Sequence, residues 1–118
     1  MFHSLPGAIL VTDVAHGAAL LPALARRRPD LQWQLFTGVA PAVFKACGGG
    51  FELAVVDADC VQPGFELLLQ QVERCAPDTR LLVRASDPRR ADLADVAACG
   101  WLQLVSAAEL DEALEVSA

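Results

Sequence analysis

The chain has 118 residues, 54% of them hydrophobic, and a formal net charge of -6. That length fits one domain, residues 1–118, with one continuous core, and the acidic balance argues against a nucleic-acid partner, whose phosphate backbone normally requires a net basic surface. No apolar run approaches the roughly 18 to 20 residues that cross a bilayer, and residues 1–7 lack the basic segment and long apolar stretch of a secretory signal, so the expectation is a cytoplasmic protein without a membrane partner.

In chain order, Ala8-Ile9-Leu10-Val11 is the first strand candidate, and Thr12 and Asp13 follow it. His16 reads as a solvent-exposed loop residue rather than a ligand. The helical segment 18–28 contains Pro22, which removes a backbone donor and costs about 3 kcal/mol in a helix interior; this helix is expected to kink or to begin late. Its terminal Arg26-Arg27-Arg28 run reads as cations complementing the helix dipole. A strand at 32–36 carries Trp33 as a packing residue, and a helix at 41–47 holds Lys45, the only lysine of the chain. Gly48-Gly49-Gly50 leads from a helix into a strand, whereas phosphate-cradling loops lead from a strand into a helix, so these glycines read as a helix stop.

The third strand, 53–56, runs into Asp57-Ala58-Asp59-Cys60. In segment 64–75, Phe65, Leu68, Leu69 and Val72 recur at helical spacing while Glu66, Gln70 and Glu73 face water. A fourth strand at 81–84 leads to Ser86, and Asp87-Pro88 suits the N-cap and first position of a helix at 90–99 that Gly100 terminates. A strand at 102–105, with Trp101 before it, and a helix at 108–115 complete the pattern.

Five βα units in succession imply an α/β domain with a doubly wound parallel sheet and helices on both faces. Ligand sites in such sheets lie outside the carboxyl ends of the strands, which directs attention to Thr12 and Asp13, Asp57 to Asp59, Ser86, and Ser106 with Ala107. Cys47, Cys60, Cys75 and Cys99 include no CxxC pair or His-rich neighbourhood, which argues against zinc; they read as small apolar residues or free thiols, with Cys60 placed for oxidation. His3 and His16 are far from Ser86 in sequence, so a hydrolase triad has no support.

The stretch Phe51-Glu52-Leu53-Ala54-Val55-Val56-Asp57 resembles the third strand of a response-regulator receiver, which ends in the phospho-accepting aspartate. Pro63, Gly64 and the helix after them, Ala76 to Val83, and Gly100 with the last strand and helix are similar to the corresponding parts of that family, so the resemblance spans essentially the whole chain. It implies a flavodoxin-like (βα)5 fold with Asp57 at the phosphoacceptor position and Ser86 at the position of the hydroxyl that contacts the phosphoryl group. It also implies Asp13 and Asp57 as oxygen ligands for Mg²⁺, where Mg²⁺ is bound.

The chain departs from the family at three places. The acidic pair after the first strand is reduced to Thr12-Asp13 or Asp13-Val14, depending on register; Val105-Ser106-Ala107-Ala108 lacks the family's lysine; and Leu102 or Leu104 stands in for its aromatic switch residue. The expectation is therefore a pseudo-receiver: a signalling module rather than an enzyme, without a cofactor, acting on an attached output domain or a protein partner. A homodimer through the fourth helix, fifth strand and last helix is a further expectation, with Arg89 and Arg90 complementing Glu109, Asp111, Glu112 and Glu115. The alternative is a functional two-component receiver phosphorylated on Asp57 with Mg²⁺.

Overall fold

The computed structural model describes residues 5–60, 66–76, 78–98 and 102–115. His3, Pro63, Gly64, Phe65, Cys99, Gly100 and Trp101 lie outside the described residues. The elements are β1 (Gly7–Val11), α1 (Val14–Arg27), β2 (Gln32–Phe36), α2 (Val39–Cys47), β3 (Phe51–Asp57), α3 (Glu66–Cys75), β4 (Arg80–Arg84), a 3-10 turn (Ala91–Leu93), α4 (Ala94–Ala98), β5 (Gln103–Val105) and α5 (Ala107–Glu115). The five strands form one parallel sheet in the order β2-β1-β3-β4-β5. The uninterrupted apolar stretches 8–11, 53–56 and 81–83 lie in β1, β3 and β4, the three central strands.

Their side chains divide by parity into two apolar layers, because successive residues of a strand point to opposite faces. Ile9, Val11, Ala54, Val56, Leu81 and Val83 pack with Val39, Val43, Leu69, Val72 and Val96 from α2, α3 and α4. Ala8, Leu10, Leu53, Val55 and Leu82 pack with Leu24, Leu110 and Leu114 from α1 and α5. Leu69 and Val72 are buried and Gln70 and Glu73 exposed, so the amphipathic reading of α3 holds where it is described.

α1 begins at Val14, four residues earlier than the apolar spacing marks, because Asp13 caps it: the Asp13 carboxylate accepts from the His16 backbone N–H. Pro22 sits inside the continuous helix on its exposed face. The missing donor therefore leaves a carbonyl of the preceding turn on the side that water reaches. The helix end is more than a solvated cationic run. Arg28 pairs with Asp30 at 2.9 Å and donates to the Leu114 carbonyl at 3.2 Å, while Arg27 pairs with Asp111 at 3.4 Å and with Glu115. From β4, Arg80 donates to the Ala113 carbonyl at 2.8 Å. Three arginines thus hold the carboxyl end of α5, where the helix carbonyls lack intrahelical partners. Trp33 Nε1 donates to the Arg28 carbonyl at 3.3 Å and closes the end of α1 in the same way.

The glycine run does stop α2. Gly48 and Gly49 donate to the Lys45 and Ala46 carbonyls, and Gly49 and Gly50 adopt φ of +86° and +85°, a region costly for other residues. Gly7 answers a packing need instead: a Cβ there would lie 2.6 Å from the Phe51 ring, where the β1–β3 register shifts by one residue. One helix boundary differs from the reading of Asp87-Pro88. The Asp87 carboxylate accepts from the Arg89 N–H and its carbonyl from the Arg90 N–H, forming a tight turn, and helical structure starts only at Ala91.

Candidate functional site at the carboxyl ends of the strands

β1, β3 and β4 end side by side, and the sheet register alone aligns three site residues. Val11 is level with Val56 and Asp57 with Arg84, so Thr12 follows β1 beside the last residues of β3 and β4. Asp57 has no exposed surface, and Thr12 is 1% exposed. A carboxylate placed there must be fully hydrogen-bonded or its desolvation would be prohibitive.

Asp57 is so bonded. Its Oδ2 accepts from Thr12 Oγ1 at 2.9 Å and from the Cys60 thiol at 3.4 Å. Its Oδ1 accepts from Arg84 Nη1 at 3.2 Å and from the Asp59 N–H at 3.3 Å. Two oxygens with about four acceptor positions between them therefore meet four donors, one of them a guanidinium. Arg84 supplies the compensating positive charge, and with a side chain only 18% exposed it forms a largely desolvated pair.

The turn after β3 is built around the same carboxylate. Cys60 N–H donates to the Asp57 carbonyl, and Ala58 N–H to the Arg84 carbonyl. Asp59 then ties this turn to the loop after β4, accepting from the Ser86 backbone N–H at 3.0 Å and from Arg90 at 2.8 Å. Burial pushes the Cys60 thiol up, which keeps it protonated and able to donate.

Asp13 lies at the rim. His16 Nδ1 stands 2.7 Å from Asp13 Oδ2, and the His16 backbone N–H, then its ring, holds the Asp13 carboxyl below its ordinary range. Cys60 Sγ is 3.5 Å from the same Nδ1. A continuous chain of polar contacts therefore runs from Asp13 through His16 and Cys60 to Asp57 and Arg84.

Of the residues singled out from the sequence, the structure brings Asp13 and Asp57 to one edge of the sheet with Cys60 between them, but pairs Asp13 with His16 and Asp57 with Arg84. Ser86 is exposed and stands two residues beyond Arg84; its contribution is a backbone N–H to Asp59 rather than a contact with Asp57. Arg84, which sequence reading passed over as the last residue of a strand, is the cation level with the aspartate. His16 lies in the first turn of α1 rather than in a loop, and its meeting with Cys60 has no signal in the sequence around either residue.

The donor set does not fit a magnesium ion in this arrangement. Mg²⁺ takes oxygen ligands at about 2.0 to 2.1 Å with near-octahedral demands. Here Thr12 rather than a carboxylate faces Asp57, both Asp57 oxygens receive donors, Asp13 turns to His16, and Asp59 turns to Arg90 and Ser86.

A five-stranded parallel sheet in this strand order, covered by helices on both faces, defines the fold of CheY-like receiver domains. No protein-family model matches the chain, and neither does any curated protein. Solved structures do match. A response-regulator receiver domain from Methanospirillum hungatei superposes with a TM-score of 0.70 at 12% identity, covering 95% of each chain. The receiver domain of a sensor histidine kinase from Pseudomonas aeruginosa, with magnesium coordinated in its active-site cleft, gives 0.74 at 14% identity over 95% of this chain and 96% of that one. A protein from Burkholderia pseudomallei described as pilus assembly-related gives 0.74 at 18% identity, covering 98% of this chain and 90% of its own.

Proposed function

We propose that this chain is a signalling module that uses the receiver fold as an interaction surface and works without phosphotransfer, so that it is neither an enzyme nor dependent on Mg²⁺. The observation that carries this reading is the saturation of Asp57 by Thr12, Cys60, Asp59 and Arg84. A carboxylate attacks phosphorus through a free lone pair, and a metal ion needs one as well. Asp57 offers either only after one of these donors withdraws, and withdrawing Arg84 would leave a buried pair as two uncompensated charges.

In this reading Arg84 supplies, as a permanent part of the fold, the positive charge that a metal ion and a lysine provide in a switching receiver. The module is then held in one state, and its output is a contact with an attached domain or a protein partner. The fold neighbours come from two-component proteins and from proteins described as pilus assembly-related; the second group favours a role within a larger assembly. The face of α4, β5 and α5 is the proposed contact, with a homodimer as one form of it. Glu109, Asp111, Glu115 and Arg90 already have partners within the chain, so their charges support that contact less than their sequence pattern suggests. Among the described residues, no helix is long and apolar enough to cross a membrane.

The test is incubation of the chain with a small phosphodonor and Mg²⁺, read by intact mass. The expected result is no mass gain, with Asp57→Asn indistinguishable from the unaltered protein. A gain of one phosphoryl group that Asp57→Asn abolishes would instead establish the second reading, a working phosphoacceptor.

A further inference from the structure

Asp13 and His16 at the rim of the sheet belong to no step of the reading above, and Cys60 enters it only as a donor to Asp57. They come from two strand-end segments, the first turn of α1 and the turn after β3, which meet where the sheet order reverses between β1 and β3. We propose that they form a binding site for a borderline-soft divalent cation of the zinc class, distinct in ligand chemistry from an oxygen-only magnesium site.

The geometry is the first support. Zinc takes sulfur at about 2.3 Å and nitrogen or oxygen at about 2.0 to 2.2 Å. At those lengths a tetrahedral ion separates its sulfur and nitrogen ligands by about 3.5 Å and its nitrogen and oxygen ligands by about 3.3 Å. Cys60 Sγ stands 3.5 Å from His16 Nδ1, and His16 Nδ1 stands 2.7 and 2.8 Å from the two Asp13 oxygens. The three ligand atoms lie within 4.8 Å of one another. A cation entering among them keeps the nitrogen–sulfur spacing and opens the nitrogen–oxygen spacing by about half an ångström, a side-chain adjustment within rotamer wells.

The second support is exposure and charge. The His16 and Asp13 side chains are 59% and 48% exposed, so the ion has an entry path and an outer side where water completes four-coordination. Thiolate and imidazole select zinc-class ions over magnesium. On binding, the thiol proton leaves to solvent and neutral imidazole supplies the nitrogen, so Asp13⁻, Cys60⁻ and a 2+ ion sum to zero. The bound ion also replaces the Cys60 S–H that now points at Asp57 Oδ2, which joins the site to the buried Asp57–Arg84 pair.

Cobalt(II) is the probe that reports sulfur ligation. The 118-residue chain, reduced and stripped of metal, is titrated with Co²⁺ and then with Zn²⁺ or Mg²⁺. The expected result is one equivalent of Co²⁺ giving a thiolate-to-cobalt charge-transfer band that Zn²⁺ abolishes and excess Mg²⁺ does not. Cys60→Ser should lose the band, and a Cys47→Ser/Cys75→Ser double variant should keep it. Loss of a direct ligand in His16→Ala should weaken affinity by at least the roughly 10- to 100-fold typical of an outer-sphere partner. Asp13→Asn, which still caps α1 because Asn caps as well as Asp, should weaken it too. The absence of a thiolate band, its persistence in Cys60→Ser, or unchanged affinity in His16→Ala would each overturn the site. His16 is exposed, so that variant decides the matter even if Cys60→Ser is poorly folded.

Discussion

Arg84 sits level with Asp57 in the β3–β4 ladder and places Nη1 3.2 Å from the Asp57 Oδ1. The pair is positioned by backbone register, since each residue is the last of its strand. Arg84 thus brings a fixed positive charge to the one buried carboxylate among the described residues.

Replacing Arg84 with Gln should leave Asp57 buried without its countercharge and lower stability by roughly 3 kcal/mol. Asp57→Asn in the same background should recover a large part of that loss, because the remaining groups are then neutral. Urea unfolding of the two single variants and the double variant measures the coupling, and purely additive effects would remove the argument for a pair.

Thr12 tests the other oxygen. Thr12→Val keeps the shape but deletes the hydroxyl that donates to Asp57 Oδ2, and should cost about 2 kcal/mol as a lost hydrogen bond to a charged group. Thr12→Ser, which restores the donor, should regain most of it in the same unfolding assay.

The start of α5 carries a reciprocal cap. Glu109 N–H donates to Ser106 Oγ at 3.2 Å, and Ser106 N–H donates to the Glu109 carboxylate at 3.1 Å. Ser106→Ala should cost about 1 kcal/mol.

The same cap has a pH signature. The Ser106 backbone N–H, followed by its hydroxyl, holds the Glu109 carboxyl below the ordinary range. A carboxyl lowered in the folded state contributes stability that is fully present above its unfolded value, about 4.3, and is lost as pH falls through the lower folded value. Melting temperatures followed from neutral pH into the acid range should fall with a weaker dependence in Glu109→Gln than in the unaltered chain. Identical acid limbs would count against the bond.

Gly50 has φ of +85° just before β3. Gly50→Ala has open space for its methyl group but must adopt the left-handed region, so it should lose roughly 1 kcal/mol through backbone strain alone. Gly50→Asn should lose less, since Asn tolerates that region better, and thermal unfolding of the two variants orders them.

Much of this molecule was legible along the chain because the signals are local. Apolar runs bounded by turn residues located all five strands, and the uninterrupted apolar stretches 8–11, 53–56 and 81–83 lie in the three central ones. Gly48 to Gly50 announced a helix stop because only glycine takes positive φ cheaply. Two local signals were open to reading and passed over: the Ser106-Ala107-Ala108-Glu109 capping pattern, and Asp13 three residues before His16 at the start of α1. The Asp87-Pro88 dipeptide misled, because one short polar side chain serves a turn as readily as a helix cap.

The sequence by itself determined the alternation of strand and helix, the receiver-like order and the place of Asp57 at a strand end. What surrounds Asp57 was decided by tertiary structure alone. Thr12 is 45 residues away along the chain and Arg84 is 27 residues away, and no local periodicity connects them. The missing lysine was visible as an absence after the fifth strand, but the cation beside Asp57 comes from the fourth. Only the parallel register of β3 against β4 carries that information, because a strand pairs through its backbone and its side chains meet whatever the neighbouring strand holds at the same level. His16 and Cys60 meet for the same reason: two loops at the carboxyl edge of one sheet converge on a point that spacing rules, which look for ligands close in sequence, do not reach.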